Sequence, residues 1–293
     1  MLLRPFGRSD IQVSALGLGA GQIGDPKLEE RPVEQLLNAA LDLGINLIDT
    51  ARGYGLSEER IGKHLAHRRS EMVLSTKVGY GVPDHEDWTY SCVMAGVEMA
   101  LRLMKTDFLD IVHLHSCPLA TLHHNGVIDA LERAREQGKL RLVAYSGENE
   151  ELAWAVESGR FASVECSVNL FDQQSLAAVL PRAGEGGLGV IAKRPLGNAP
   201  WRFAERPVGE YCETYWERMQ TLAYDRAGLP WDAMALRFSA FAPGVSSAIV
   251  GTASLTNLRH NVALVNAGPL PGDAMAIYRA RFAEVGADWR GEI

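Results

Sequence analysis

A chain of 293 residues, nearly half of them apolar, can bury a sizeable core and fits either two ordinary domains or one large α/β barrel. Its net charge of −7 and scattered basic residues offer no basic patch for nucleic acid, and no apolar run approaches the ~18 residues of a membrane span, so neither partner is expected. The start, MLLRPFGRSD, lacks an export-type cleavage pattern, and Cys92, Cys117, Cys166 and Cys212 show no CxxC or zinc-like spacing, which predicts a cytoplasmic chain with reduced thiols.

Residues 2–13 alternate loosely about Gly7-Arg8-Ser9-Asp10 and predict a β-hairpin ahead of the main body. SALGLGAGQIG then reads as a first strand running into a loop where backbone must approach something closely. Its GxG lacks the spacing and following helix of a dinucleotide fingerprint. Residues 33–43 carry helical spacing, with Leu36, Leu37, Ala40 and Leu43 on one side and Gly44 as the cap. From there strands and helices alternate. The strand-like runs are 14–19, 45–49, 72–77, 109–115, 141–146, 163–168, 188–192 and 247–250. The helical patterns are 57–66, 91–104, 127–137, 149–157, 174–182, 212–227, 231–241 and 254–266. Eight strands alternating with helices imply parallel pairing, and this length fits a (β/α)8 TIM barrel better than the competing open sheet. An inserted loop is expected near 195–211 and an extra C-terminal helix over 272–285. No linker or shift in composition divides the chain, so residues 1–293 are expected to form one domain.

The chemistry of a parallel barrel sits at the C-terminal ends of its strands. Those ends carry Asp49 with Tyr54 in the following loop, Lys77, His113 and His115, Ser146 and Asn149, Glu165 and Asn169, Lys193 and Arg194, and Gly251 and Thr252. A phenol is a weak acid, of pKa about 10, and donates a proton near neutrality only if a neighbour stabilises its phenolate. Lys77, on the next strand, is the candidate cation. Taken singly, each residue has a bland explanation: a solvated lysine, a turn-capping aspartate, a packed tyrosine, a core histidine. Their convergence on one rim does not. His113 and His115 share a strand face and could bind one metal ion, but the sequence places no further ligands for it, and no metal is expected. Cys117 and Cys166 fall near strand ends, where a small buried hydrophobe is the commoner role.

The runs LGLGAG, DTARGYGLSEERIG, LSTKVG, LDIVHLH and IVGTASLTNLRHNV together resemble the aldo-keto reductase superfamily across essentially the whole chain. The resemblance implies a (β/α)8 barrel, a nicotinamide cofactor bound without a Rossmann fold, and hydride transfer between NAD(P)H and the carbonyl of an aldehyde or ketone. It implies a catalytic tetrad of Asp49, Tyr54, Lys77 and His115, with Tyr54 as general acid, Lys77 lowering the tyrosine pKa, and His113 in a supporting place. The cofactor residues it implies are Gly19, Asp49, Ser146, Gly147, Glu165, Lys193, Arg194, Gly251, Thr252, Ser254, Asn257 and Asn261. Four departures stand out. Gly147 replaces an asparagine, with Asn149 as a nearby substitute. Glu165 replaces a glutamine. Lys193 and Arg194 stand where an aromatic often stacks. Gly251, Ala253 and Asn257 occupy positions that often hold a base for the 2′-phosphate, with Arg259 nearby. NADPH is nevertheless the expected cofactor, with NADH as the alternative. Trp88 in the loop 79–90 and Trp201 are the candidate substrate contacts, followed by Phe203 and Trp289; if they line the pocket they suit a partly apolar carbonyl compound. A cofactor-binding regulatory protein on the same barrel is the alternative function.

Overall fold

The computed structural model of the chain describes residues 1–124, 126–226 and 228–293. Two short strands, β1 (Leu3–Pro5) and β2 (Gln12–Ser14), pair antiparallel as the expected hairpin. Eight further strands close a barrel: β3 (Leu16–Gly19), β4 (Leu47–Asp49), β5 (Val73–Val78), β6 (Leu109–His115), β7 (Leu140–Ser146), β8 (Ser163–Ser167), β9 (Gly189–Lys193) and β10 (Ser247–Gly251). They lie in chain order, all neighbours parallel, with β10 closing onto β3.

Helices lie between the strands: α1 (Glu30–Asp42), α2 (Ser57–Leu65), α3 (Tyr90–Met104), α4 (Leu119–His124), α5 (Val127–Glu136), α6 (Asn149–Glu157), α7 (Gln174–Ala178), α8 (Leu180–Gly186), α9 (Glu213–Leu222) and α10 (Trp231–Ala240); α11 (Leu255–Asn266) follows β10. The extra helix α12 (Ala274–Val285) follows the last strand. Three expectations need correction. The helix expected over 174–182 breaks at Val179 (φ −115°) into α7 and α8. The helix expected over 212–227 stops at Leu222, where Ala223 turns left-handed (φ 45°); its end at residue 227 lies outside the described residues. The short helix α4 was not anticipated from the sequence.

The strands are apolar on both faces, as a covered parallel sheet requires. Ile48, Leu74, Val112, Val143, Val164, Val190 and Ala248 face the helices in the larger core. The alternate residues Leu47, Val73, Ile111, Ala144, Ile191 and Ile249 fill the barrel's interior together with Phe6, Ile11 and Val13 of the hairpin. Phe6 is fully buried, and a side chain at Gly189 would strike its ring at 2.7 Å. The hairpin therefore stoppers the N-terminal end of the barrel. Among the described residues, no helix is long and apolar enough to cross a membrane. All four cysteines are buried and unpaired, and burial pushes the Cys117 thiol up to about 12.

Candidate active site

At the opposite end a cleft of about 1370 Å³ opens, lined by the last residues of six strands: Gly19, Asp49, His115, Ser146, Lys193 and Gly251. A single drug-sized ligand occupies roughly 300–1,000 Å³, so the cleft has room for a dinucleotide and a second small molecule.

Its floor is a buried charge network built by strand register. Asp49 pairs with Ser75 across β4 and β5, and Lys77 with His113 across β5 and β6. Side chains two residues apart on one strand share a face, so Ser75 and Lys77 both point inward. Lys77 Nζ lies 2.5 Å from Asp49 Oδ2 and donates to the Thr50 carbonyl at 3.0 Å. Ser75 Oγ donates to the other Asp49 oxygen at 2.7 Å. Glu165, from β8, brings Oε2 to 3.3 Å from Lys77 Nζ and 3.9 Å from His113 Nε2. Two carboxylates thus face one ammonium, all three almost fully buried at the base of the cleft. Burial and the Glu165 charge push the Asp49 carboxyl above the usual carboxylate range, against the pull of Lys77. Burial, aided by Lys77, drives His113 down to about 4, so its ring is neutral near physiological pH.

The two histidines considered for a metal ion, and not expected to bind one, fall apart here: only His113 belongs to a cluster of donor groups. Donor atoms of Asp49, His113 and Glu165 lie within 4.8 Å of one another, ligands that the sequence did not place. The positive charge among them is the Lys77 ammonium, bound to both carboxylates.

Tyr54 and His115 stand above this floor. The Lys77 ammonium is 5.4 Å from the centre of the Tyr54 ring, and the Tyr54 and His115 rings meet edge to face at 5.9 Å. The charge of Lys77 is the largest single influence on Tyr54 and acts to lower its pKa. Burial and the charges of Asp49, Glu165 and Tyr80 outweigh it, and the phenol is pushed up to about 12. The tyrosine is therefore a more reluctant acid than the sequence implied. Burial, again aided by Lys77, holds His115 down to about 3 and hence neutral. Tyr80 was not singled out from the sequence. Its hydroxyl lies 2.8 Å from His115 Nδ1, and its ring stacks on the imidazole at 5.4 Å. A neutral phenol is the better donor to a neutral imidazole, so Tyr80 donates to Nδ1 and leaves His115 with its proton on Nε2.

The structure sorts the remaining expected residues. Ser146, Glu165, Lys193, Arg194 and Asn257 line the cleft. Gly147, Thr252, Ser254 and Asn261 stand behind that lining; Ser254 caps α11 by accepting from the Asn257 amide. A side chain at Gly147 would meet the Tyr145 hydroxyl at 2.4 Å, and that hydroxyl donates to the Cys117 carbonyl. The neighbouring tyrosine thus explains why glycine follows Ser146. Asn149 is no substitute contact, because its side chain is spent on both backbone groups of Gly291. Lys193 is tied to Glu148 at 3.2 Å, and Arg194 to Ser167, Tyr211 and the Glu292 carbonyl. Gln22, missed in the sequence, covers Gly251, where a side chain would meet its Oε1 at 2.0 Å.

The aromatic wall is a correction. Trp88 packs over Gly79 and against Tyr80, Trp201 stacks on Trp231, and Trp289 packs edge to face on Phe282; neither these nor Phe203 line the cleft. The apolar-substrate expectation loses its support with them.

The residues present suit a nicotinamide carboxamide. Ser146 Oγ and Glu165 Oε2 are buried without a hydrogen-bond partner, and both residues line the cleft. A hydroxyl can donate to the amide oxygen, and a carboxylate can accept from the amide nitrogen.

Comparison with known proteins agrees with this geometry. The model of the aldo/keto reductase family matches residues 15–280. The uncharacterized oxidoreductase YqkF of Bacillus subtilis is 27% identical, over 91% of this chain and 92% of that protein. L-galactose dehydrogenase of Arabidopsis thaliana is 26% identical, over 90% of this chain and 88% of that protein. The solved holo form of aldo-keto reductase AKR11C1 from Bacillus halodurans superposes with a TM-score of 0.81 at 26% identity, covering 96% of both chains. The barrel, the tyrosine and histidine above a lysine–aspartate pair, and these likenesses lead to one conclusion: the chain belongs to the aldo/keto reductase family and is an NAD(P)H-dependent oxidoreductase.

Proposed function

We propose that the protein, as one domain, reduces the carbonyl of an aldehyde or ketone with Tyr54 as the proton donor. The observation that carries this reading is the Asp49–Lys77 pair at 2.5 Å, set 5.4 Å from the Tyr54 ring and beside a neutral His115. When bound, the nicotinamide supplies the hydride. The chain's own groups handle the charge that then grows on the carbonyl oxygen. Tyr54 gives that oxygen a proton. Lys77 stabilises the phenolate left behind, and Asp49, with Ser75 behind it, fixes Lys77 in place. His115 donates Nε2–H to the same oxygen and orients it, in the tautomer Tyr80 selects. Ser146 and Glu165 hold the carboxamide.

We infer NADH, rather than the expected NADPH, as the cofactor. The β10–α11 turn contributes Gly251, Ala253 and Asn257 to the lining but no cation, and Arg259 is exposed outside it. The cations of the lining are Lys193 and Arg194, both already partnered, and Arg202 in the loop after β9. Titrating the purified protein with each dinucleotide, followed by quenching of tryptophan fluorescence, tests the site. Tighter binding of NADPH would reverse the choice between cofactors. Binding of neither, with no turnover of a simple aldehyde, would remove the reductase reading.

A further inference from the structure

We propose that Glu165 is a positioning residue of this reaction: it acts on Tyr54 through Lys77 and sets the pH range over which the tyrosine keeps its proton. The inference rests on the reading of Tyr54 as the acid.

One carboxylate is enough for one ammonium, and Lys77 already has Asp49 at 2.5 Å, itself anchored by Ser75. Glu165 adds a second at 3.3 Å. Its Oε2 and the facing His113 Nε2, 3.9 Å away, are both buried and both lack a hydrogen-bond partner. Burying a carboxylate with so few partners is costly, and a glutamine amide of the same shape would carry no charge into the site. The charge therefore has to be judged by what it does to its neighbours.

The groups that act on Tyr54 come from five elements: Asp49 on β4, Lys77 on β5, Tyr80 in the β5–α3 loop, His115 on β6 and Glu165 on β8. Glu165 itself faces Asp49, Lys77, His113, Lys193 and His115. Both imidazoles are held neutral, and Lys193 is taken up by Glu148. The charge balance beneath the phenol thus reduces to one ammonium against Asp49 and Glu165. The second carboxylate offsets the pull that Lys77 exerts on a phenolate. The same tyrosine is the acid of carbonyl reduction and the base of alcohol oxidation, so one titration governs both directions.

The test uses the protein without cofactor, in four forms: unchanged, Glu165→Gln, Tyr54→Phe, and both together. Subtracting the alkaline tyrosinate absorbance of each Tyr54→Phe form from its parent isolates the Tyr54 titration. With Glu165 present, Tyr54 is expected to titrate above the ordinary phenol value of about 10. In Glu165→Gln it is expected about one pH unit lower or more, and the high-pH break in carbonyl reduction moves with it. An unmoved titration in Glu165→Gln would overturn the proposal. So would a Tyr54 that titrates at or below the ordinary value in the unchanged protein, a measurement that stands even if the variant folds poorly. The two readings separate cleanly. Turnover that survives Tyr54→Phe removes the acid role proposed above. Turnover lost in Tyr54→Phe with no effect of Glu165→Gln removes the role of Glu165 alone.

Discussion

Tyr54 is a phenol set to give up a proton where burial and three neighbouring groups resist it and a single ammonium helps. Tyr54→Phe should cut turnover by about 10²-fold or more while dinucleotide affinity, read by fluorescence titration, stays within a few-fold of the parent. The two histidines of β6 should part company. His115 lines the cleft, whereas His113 is fully buried. His115→Ala is therefore expected to lower kcat for a simple aldehyde well below His113→Ala; the reverse order would mean the reacting oxygen lies elsewhere. At this scale the sequence was readable where chemistry is packed into a short run: Asp49 and Tyr54 lie five residues apart, and Lys77 is the penultimate residue of the next strand. The Lys77–Glu165 contact was not readable. It joins β5 to β8 across the inside of the barrel, and only closure of the sheet brings them together. Tyr80 was hidden for a related reason, since nothing local shows that the loop folds it back onto His115.

The elements that hold Tyr54 are two loops packed backbone to backbone. A side chain at Gly24 would lie 1.8 Å from the Tyr54 carbonyl oxygen, and one at Gly55 would lie 2.5 Å from the Gly24 oxygen. The Leu56 amide donates to that same Gly24 oxygen at 3.0 Å. No side-chain rotation relieves such contacts. Gly24→Ala should therefore displace the tyrosine loop, lowering turnover together with stability by about 1–3 kcal/mol, checked by assay and thermal melt on the same sample. Unchanged activity would show that the loop yields without moving the phenol. The glycine-rich first loop signalled a close approach in the sequence, but its partner was hidden, because that partner is backbone and leaves no trace in residue type. Helix ends were the least readable: α9 stops at Ala223 with no glycine or proline there to announce it.

For the molecule as a whole, the barrel was legible because alternating strand and helix patterns recur eight times, and the strand ends lie within two residues of where the pattern placed them. The hairpin's role was not legible, because nothing in residues 2–13 says what their apolar side chains will meet. Phe6→Ala should cost about 3–5 kcal/mol, seen as a lower melting temperature, while KM for substrate and cofactor holds, since Phe6 sits at the far end from the cleft. The histidine burden gives stability a pH dependence. The unfolded chain protonates residue 113 below about 6.5, whereas the folded one resists until about 4. Its contribution is thus fully present above the first value and fades as pH falls toward the second. Relative to His113→Asn, the protein should lose melting temperature between pH 7 and 4.5; parallel loss in both would assign the effect to other groups.

A barrel stoppered by its own hairpin is a vessel with a single mouth. Whatever reaches Ser146 and Glu165 must pass the rim, and whatever then sits over it shuts the first arrival in. With the carboxamide seated as proposed, the dinucleotide is expected to enter first and to leave last, after the alcohol at the rim has gone. Product-inhibition patterns should show the oxidised dinucleotide competing with the reduced one, and the alcohol failing to compete with either.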